Sequence, residues 1–145
     1  MNVFTDLSQL TQEEFEEILH FDAEFFDYPW TRAQWEECYS SGNYLISYKP
    51  GYGFCLFHLN FYEQMAHLLK ILVLPEKRTL KIGFDLYQSA LVKIENLSLK
   101  KLYLEVAVDN IVAINFYEKL GFKKLKLAKK YYSDGKSAWS MLKLL

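Results

Sequence analysis

The sequence predicts an α/β fold in which a mixed sheet carries helices on its faces. Helix-capping patterns near the start, strand-length apolar runs in the middle, and strand–helix–strand order in the second half support this class. A strand–helix–strand crossover joins parallel strands and a short hairpin joins antiparallel ones, so the sheet must be mixed. The 145 residues are enough for one domain, spanning 1–145.

Two helices are predicted before the first strand. Residues 11–14 have the pattern of a capping box and precede apolar residues that recur at helical spacing. Thr31 and Gln34 repeat the capping pattern after Pro29, and the helix that they begin carries Trp35. Gly42 is placed to end that second helix.

Three strands are predicted next. Residues 43–48 and 53–59 are short apolar runs on either side of a Lys-Pro-Gly turn, a pattern typical of a hairpin. Residues 67–74 are apolar apart from Lys70, which predicts a central strand that is covered on both faces.

The second half alternates helices and strands. Residues 83–94 have amphipathic spacing and 102–108 form a buried type of strand. Asp109-Asn110 can cap the next helix, and Gly121 is placed to follow its end. A final antiparallel pair is predicted at 122–127 and 138–144, which completes the order α-α-β-β-β-α-β-α-β-β.

Charge is balanced overall but unevenly distributed. The net charge is −1, yet the first forty residues hold ten acids and one base, Arg32, while 119–136 hold seven lysines. These runs are typical of solvated surfaces, although they could also attract a cationic substrate or an anion. The pI of 6.3 and the lack of a basic, aromatic-interleaved motif argue against nucleic-acid binding.

The sequence also argues against a membrane or secreted protein. It has no apolar stretch of about 18 residues and no basic, then apolar, leader at its start. Cys38 and Cys55 have neither metal-ligand spacing nor a disulfide framework, so reduced thiols in a cytoplasmic protein are expected.

The turn after Leu74 is the first candidate site. It leads from a strand into a helix N-terminus, where free N–H groups and the helix dipole favour an anion such as phosphate. Arg78 and Lys81 add positive charge. An ordinary strand–helix turn would have a similar composition.

Glu105 and Tyr117 form the second candidate site. Glu105 is a single carboxylate in an apolar strand, so it is expected to lie at an open cleft or to have a raised pKa. Such a group is a candidate general base, and Tyr117 on the next helix is a candidate acid. The alternatives are a cross-strand salt bridge or a half-exposed charge for Glu105 and a core aromatic for Tyr117.

A family resemblance joins these residues. The matching features, in order, are Leu104-Glu105-Val106, Asn110, Ala113, Tyr117-Glu118-Lys119-Leu120-Gly121-Phe122 and Tyr131-Tyr132. In order and spacing they resemble the C-terminal half of the GNAT acetyltransferases. They are most similar to the RimI branch, which acetylates the N-terminal alanine of ribosomal proteins. The resemblance covers nearly the whole chain, is strongest from Leu102 onward, and implies a mostly antiparallel central sheet.

The resemblance implies an acetyl-CoA site. The strand residues would bind the pantetheine arm through their backbone, the following turn would bind the pyrophosphate, and Asn110 would contact the thiol end. The implied residues are Ile71, Leu72 and Val73 in the strand and Arg78, Thr79, Leu80, Lys81, Ile82, Gly83 and Phe84 in the turn.

The resemblance also implies a mechanism without metal or covalent intermediate. Glu105 would take a proton from the substrate ammonium, through water, and Tyr117 would protonate the departing thiolate. Trp30, Tyr131 and Tyr132 would line the acceptor cleft. The acceptor would be a protein N-terminus, with ribosomal proteins as candidates, or a small amine, and the enzyme would be a monomer or homodimer.

Departures from the family pattern leave alternatives open. Lys81 stands where the pyrophosphate loop normally has its first glycine, and Thr79 and Phe84 also differ from the usual residues. Lys81 could offer its ammonium to a phosphate, or acetyl-CoA affinity could be lost. A degenerate domain that binds a partner or an acyl-CoA without turnover is therefore an alternative. His67 could be a second base, but a single histidine in an apolar strand is more typically structural.

Overall fold

A computed structural model describes the backbone of residues 1–145 and all side chains except those of Thr79 and Leu80. The backbone forms a seven-stranded sheet in the order β1-β2-β3-β4-β5-β7-β6. The strands are β1 (Asn2–Phe4), β2 (Tyr44–Lys49), β3 (Gly53–Asn60), β4 (Met65–Val73), β5 (Lys101–Ala107), β6 (Lys123–Ala128) and β7 (Ala138–Leu144). The α-helices are α1 (Gln12–Phe25), α2 (Arg32–Ser41), α3 (Ile82–Asn96) and α4 (Ile111–Lys119).

The sheet is mixed and mostly antiparallel, which confirms the predicted fold class. Within the described backbone, β4 and β5 are the one parallel pair, and their pairing runs only from Met65–Lys101 to Leu68–Leu104. Both strands continue beyond that point, to Val73 and Ala107. The two strands therefore separate, and this edge of β4 faces an opening instead of a neighbouring strand.

Helices cover both faces of the sheet. One apolar cluster joins α1 and α2 to the sheet through residues such as Phe15 and Trp35. A second cluster joins α3 and α4 to the opposite face through residues such as Leu86 and Ile114. Both predicted capping boxes, at the starts of α1 and α2, are present.

A β-bulge in β4 changes which face its residues occupy. Phe57 pairs with Leu68 but the preceding residue of β3 pairs with Lys70, so Leu69 is an extra residue. Leu68 belongs to the cluster under α3, whereas Leu72 belongs to the cluster under α1 and α2. The bulge thereby shifts the alternation and brings Lys70 to the α1–α2 side.

Two predictions about the strands need correction. β1 pairs with β2 through Val3 and Ser47 but was not predicted, since three residues are too few to show a period of two. β4 is not covered throughout, because every second residue along it, including His67, is only half-buried.

Among the described residues, no helix combines the length and apolar composition that crossing a membrane requires.

Candidate active site

Glu105 of β5 and His67 of β4 are joined by a hydrogen bond across the parallel strand pair. His67 Nε2 lies 2.7 Å from Glu105 Oε1, and the two side chains are 24% and 13% exposed. His67 is directly opposite Tyr103 in the strand register, and its ring packs edge-on against the tyrosine ring at 5.0 Å. Because side chains two residues apart share a face of a strand, Tyr103 and Glu105 both reach this histidine.

Tyr131 completes the contacts of the carboxylate. Its hydroxyl donates to the same Glu105 Oε1 at 3.2 Å, from the loop between β6 and β7. Tyr131 is one of the three predicted cleft residues, and the structure brings it to Glu105. Its role in the cleft stays a prediction. Burial, together with the nearby carboxylate, raises the pKa of Tyr131 to about 12, so its hydroxyl stays protonated at neutral pH.

The electrostatics of Glu105 differ from the raised pKa considered from sequence. Burial is the largest single influence and acts to raise its pKa, but hydrogen bonds from His67, Tyr103 and Tyr131 together outweigh it. The net result is a pKa below the ordinary value, so the group is ionised at neutral pH. The cross-strand partner was the alternative left open for this residue, and the partner is His67.

His67 is the residue whose importance the sequence understated. Its ring has a hydrogen-bond partner, as a structural histidine is expected to have, but that partner is the candidate base Glu105 itself. A signal was present in the order of elements, because His67 and Glu105 lie on strands joined through one predicted helix, a connection typical of parallel strands. Only the register between those strands shows that the two side chains meet.

Tyr117 lies on α4 within the core. It packs edge-on against Phe116 and Phe122, with ring centroids 5.6 and 5.8 Å away. Burial raises its pKa well above the ordinary value of 10.0, so the phenol remains protonated. The position suits both a proton donor and a core aromatic.

Two loops meet beside the carboxylate. The ring of Tyr28, between α1 and α2, stacks on Tyr132 with centroids 4.3 Å apart and planes 11° from parallel. The Tyr28 hydroxyl donates to Asp134 at 2.8 Å, and Tyr132 packs edge-on against Tyr131 at 4.9 Å. These contacts connect the segment 26–31 to the loop that carries Tyr131. Tyr28 and Asp134 were not among the predicted site residues.

Trp30 does not reach this cluster, which corrects its predicted place in the wall. Its ring packs on Trp35 at 5.0 Å, and its N–H donates to Asp22. It also lines a groove between α1 and α2. The family resemblance implied a place for Trp30 in the cleft, but its side chain turns toward the α1–α2 core.

The residues predicted to bind the pantetheine arm lie on the part of β4 that borders the opening between β4 and β5. Leu72 is buried under α1 and α2, while Ile71 and Val73 pack on the other apolar cluster. Beyond Leu68 the edge of β4 that faces β5 has no strand partner in the described backbone. An extended ligand could therefore pair with this edge as a short strand does.

The turn after β4 leads into α3 as predicted. Pro75–Leu80 form a 3-10 helix, and Lys81 adopts a left-handed conformation with φ 56° and ψ 24° before α3 begins. The first helical bond runs from Asp85 N to Lys81 O, so the N–H groups of Ile82, Gly83 and Phe84 precede it. Such N–H groups are suited to a phosphate.

Arg78 and Gly83 are the other described residues of the predicted pyrophosphate turn. Arg78 Nε donates to Val73 O at 3.0 Å and so folds the turn against the end of β4. Among the described side chains, a Cβ added to Gly83 would touch only Val73 Cγ2, at 3.7 Å. The predictions for the side chains of Thr79 and Leu80 lie outside the described part of the structure.

Asn110 caps α4, as predicted. Its Oδ1 accepts from Ala113 N at 3.2 Å, which leaves the amide NH₂ for other partners. Its contact with the thiol end of acetyl-CoA stays a prediction. Within the described residues, no three His, Cys, Asp or Glu side chains group so as to hold a metal ion.

Comparison with known proteins places this geometry in context. The family described as Acetyltransferase (GNAT) matches residues 4–122. An N-alpha-acetyltransferase of Sulfurisphaera tokodaii is 42% identical over 77 residues, which cover 52% of this chain and 46% of that protein. The chain thus spans about half the length of this relative.

Two further comparisons cover more of the chain. A Bacillus subtilis protein, provisionally named ribosomal protein bS18-alanine N-acetyltransferase, is 29% identical over 129 residues, covering 84% of this chain and 83% of that one. The crystal structure of the ribosomal-protein-S18-alanine N-acetyltransferase from Escherichia coli superposes with a TM-score of 0.81 at 22% identity. That superposition covers 99% of this chain and 92% of the other, and it shows a common fold.

Proposed function

The chain belongs to the acetyltransferase (GNAT) family, and we propose that it transfers the acetyl group of acetyl-CoA to the α-amino group of a protein N-terminus. The observation that carries this proposal is the His67–Glu105 hydrogen bond, which lies next to the point where β4 and β5 stop pairing. The candidate base Glu105 would thereby stand next to an open strand edge that can hold an extended donor. The names of the relatives support the N-terminal acceptor.

The donor half of the site fits acetyl-CoA. The free edge of β4 at Ile71–Val73 would hold the pantetheine arm, and the N–H groups of Ile82, Gly83 and Phe84 would hold the pyrophosphate. Acetyl-CoA would supply the activated thioester, and the residues of this chain would position the two substrates and transfer the protons. The one described side-chain contact that a Cβ at Gly83 would make, with Val73 Cγ2 at 3.7 Å, supports this assignment.

Lys81 does not argue against donor binding. The glycine that it replaces would allow a left-handed conformation, and Lys81 adopts that conformation at φ 56°. The cost for a residue with a Cβ is about 1–2 kcal/mol, which a folded domain can absorb. The turn therefore keeps a path that a phosphate can approach, which argues against a loss of acetyl-CoA affinity. Turnover is what separates the enzyme from the degenerate-domain alternative.

The acceptor amine must lose a proton before it can attack. The Glu105 carboxylate can only accept hydrogen bonds, so His67 Nε2 carries the proton between them and, in the neutral ring, the lone pair lies on Nδ1. The amine proton could pass through water to Glu105 or to His67 Nδ1, and the carboxylate would stabilise the resulting imidazolium. We assign the two residues one role, as a coupled base.

Tyr117 would act at the end of the reaction. A phenol with a raised pKa is protonated at neutral pH and can donate to the departing thiolate. Neither cysteine is needed, since the amine attacks the thioester directly. Both thiols are buried.

The first test measures donor binding and chemistry separately. Calorimetry should detect acetyl-CoA binding to the wild type. Glu105→Gln should then abolish most acetylation of a peptide with a free N-terminus, by about 100-fold or more, with donor affinity nearly unchanged. Glu95→Gln, an exposed acid on α3, is the matched control. Absence of acetyl-CoA binding at millimolar concentration would overturn the proposal.

The second test concerns the acceptor. Purified ribosomal proteins, a peptide with a free N-terminus and an N-terminally blocked peptide that contains lysine should be incubated with acetyl-CoA and read by intact mass. Acetylation confined to free N-termini supports the proposal. Modification of the blocked peptide alone, or of small polyamines alone, would contradict it.

A further inference from the structure

A buried ion pair lies under the segment that joins α1 to α2. Lys70 Nζ and Asp22 Oδ1 are 2.7 Å apart, and their side chains are 1% and 0% exposed. Two charges removed from water carry a desolvation cost, and well-packed apolar residues would often be as stable. The pair therefore calls for an explanation beyond stability.

The contacts of this pair are directed at one segment, 26–31. Asp22 Oδ2 accepts from Trp30 N at 2.8 Å, and Lys70 Nζ donates to Tyr28 O at 3.2 Å. The ammonium also lies 4.1 Å from the ring centroid of Phe26 and 4.5 Å from that of Trp30. Asp22 receives one more bond, from Trp35 Nε1 on α2. Backbone groups on both sides of Pro29 are thus held by the two charges.

This segment leads directly to the candidate base. Tyr28, whose carbonyl Lys70 holds, stacks on Tyr132, and the adjacent Tyr131 donates to Glu105. The bulge at Leu69 allows Lys70 to point under this segment while His67, three residues earlier on the same strand, meets Glu105. β4 therefore carries both His67, which bonds the candidate base Glu105, and Lys70, which holds the segment 26–31.

We propose that Lys70, with Asp22, is a positioning residue for the acceptor. The ion pair sets the path of 26–31 so that Tyr28 stacks on Tyr132, and this contact holds the acceptor wall, formed by Tyr131 and Tyr132, beside Glu105. This inference rests on the proposed function. A purely structural ion pair would stabilise the fold without a selective effect on the acceptor. A positioning pair should affect acceptor KM more than acetyl-CoA KM.

The test uses a double variant and a matched control. Lys70→Met alone leaves Asp22 buried without its counter-ion and is expected to destabilise the fold. Lys70→Met with Asp22→Asn removes both charges and keeps an acceptor for Trp30 N and Trp35 Nε1, so it should fold. Ser47→Ala is the control, because it removes a buried hydrogen bond to Leu86 O on the opposite face of the sheet.

Two measurements are made on each protein. Amide hydrogen exchange across 26–31 should rise in the double variant and stay unchanged in Ser47→Ala. The acceptor-peptide KM should rise by about 10-fold in the double variant, as expected for the loss of one or two polar contacts, while the acetyl-CoA KM stays within about 2-fold. Ser47→Ala should lower thermal stability and change neither KM.

The outcomes separate this inference from the proposed function. Unchanged exchange, or equal rises in both KM values, or an acceptor KM that rises as much in Ser47→Ala, would overturn the positioning role. If the wild type acetylates no peptide, the proposed function fails and this acceptor role fails with it, whereas exchange still reports whether the ion pair orders 26–31. A working enzyme with an unaffected double variant refutes the positioning role alone.

Discussion

His67 Nε2 and Glu105 Oε1 lie 2.7 Å apart at the last stretch where β4 and β5 pair as parallel strands. Beyond Leu68 and Leu104 the strands separate, so this hydrogen bond stands next to the mouth of the opening. A charge-assisted bond of this kind fixes the ring orientation and keeps the carboxylate ionised. Its two members therefore should respond together to mutation.

Stability should depend on pH through Glu105. Its folded pKa is below its unfolded value, which is close to 4.5, so its contribution is complete above that pH and is lost as pH falls toward the lower folded value. Wild type should therefore exceed Glu105→Gln in stability by about 1 kcal/mol at pH 6, and the difference should shrink below about pH 4.5. Denaturant unfolding between pH 3.5 and 7 measures it. A difference that grows on acidification would contradict the sign.

His67→Ala should lower the acetylation rate by about 100-fold, because it removes the ring that bonds the carboxylate. His58→Ala is the matched control, since His58 pairs with His67 in the register of β3 and β4 but contacts Tyr44 instead of Glu105. Steady-state kcat with a free N-terminal peptide checks both. Equal activities of the two variants would remove His67 from the coupled base.

Tyr117→Phe should lower kcat by about 100-fold and leave the free energy of unfolding nearly unchanged, because the ring still packs against Phe116 and Phe122. Tyr87→Phe is the control, as it removes another buried phenol from the same apolar cluster. A single-turnover assay distinguishes chemistry from product release. Full activity in Tyr117→Phe would assign the residue to the core alone.

Lys81→Gly should be more stable than Lys81→Ala by about 1 kcal/mol, because only the glycine lacks the Cβ that disfavours a left-handed φ of 56°. Both variants lose the ammonium, so the comparison isolates the backbone effect. Chemical denaturation of the two proteins measures it. Equal stabilities would mean that this conformation is not retained in solution.

Tyr28→Phe should raise the acceptor KM only slightly, since it keeps the stack on Tyr132 and loses the bond to Asp134. Tyr28→Ala loses both contacts and should raise it by about 10-fold. Acetyl-CoA affinity, measured by calorimetry, should be the same in both. Identical KM values for the two variants would show that stacking does not maintain the acceptor wall.

Local patterns were sufficient for most of the secondary structure. The two capping boxes begin at Thr11 and Thr31 as predicted, and Asn110 caps α4, because these signals involve residues three apart in the chain. Lys81 was predicted to occupy a glycine's position, and its left-handed conformation agrees. β1 escaped prediction because its pairing with β2, and not its own three residues, makes it a strand.

The candidate site depended on longer-range relationships. The sequence by itself predicted the mixed fold and the family, and both are confirmed, since each is carried by residue type and short spacing. The anion-binding turn and the roles of Glu105 and Tyr117 stay predictions. Only the tertiary structure decided that His67 meets Glu105, that Lys70 turns toward Asp22 and that Trp30 leaves the cleft wall. The physical reason is that strand register and a one-residue bulge determine which face each side chain occupies, and neither follows from periodicity within one strand.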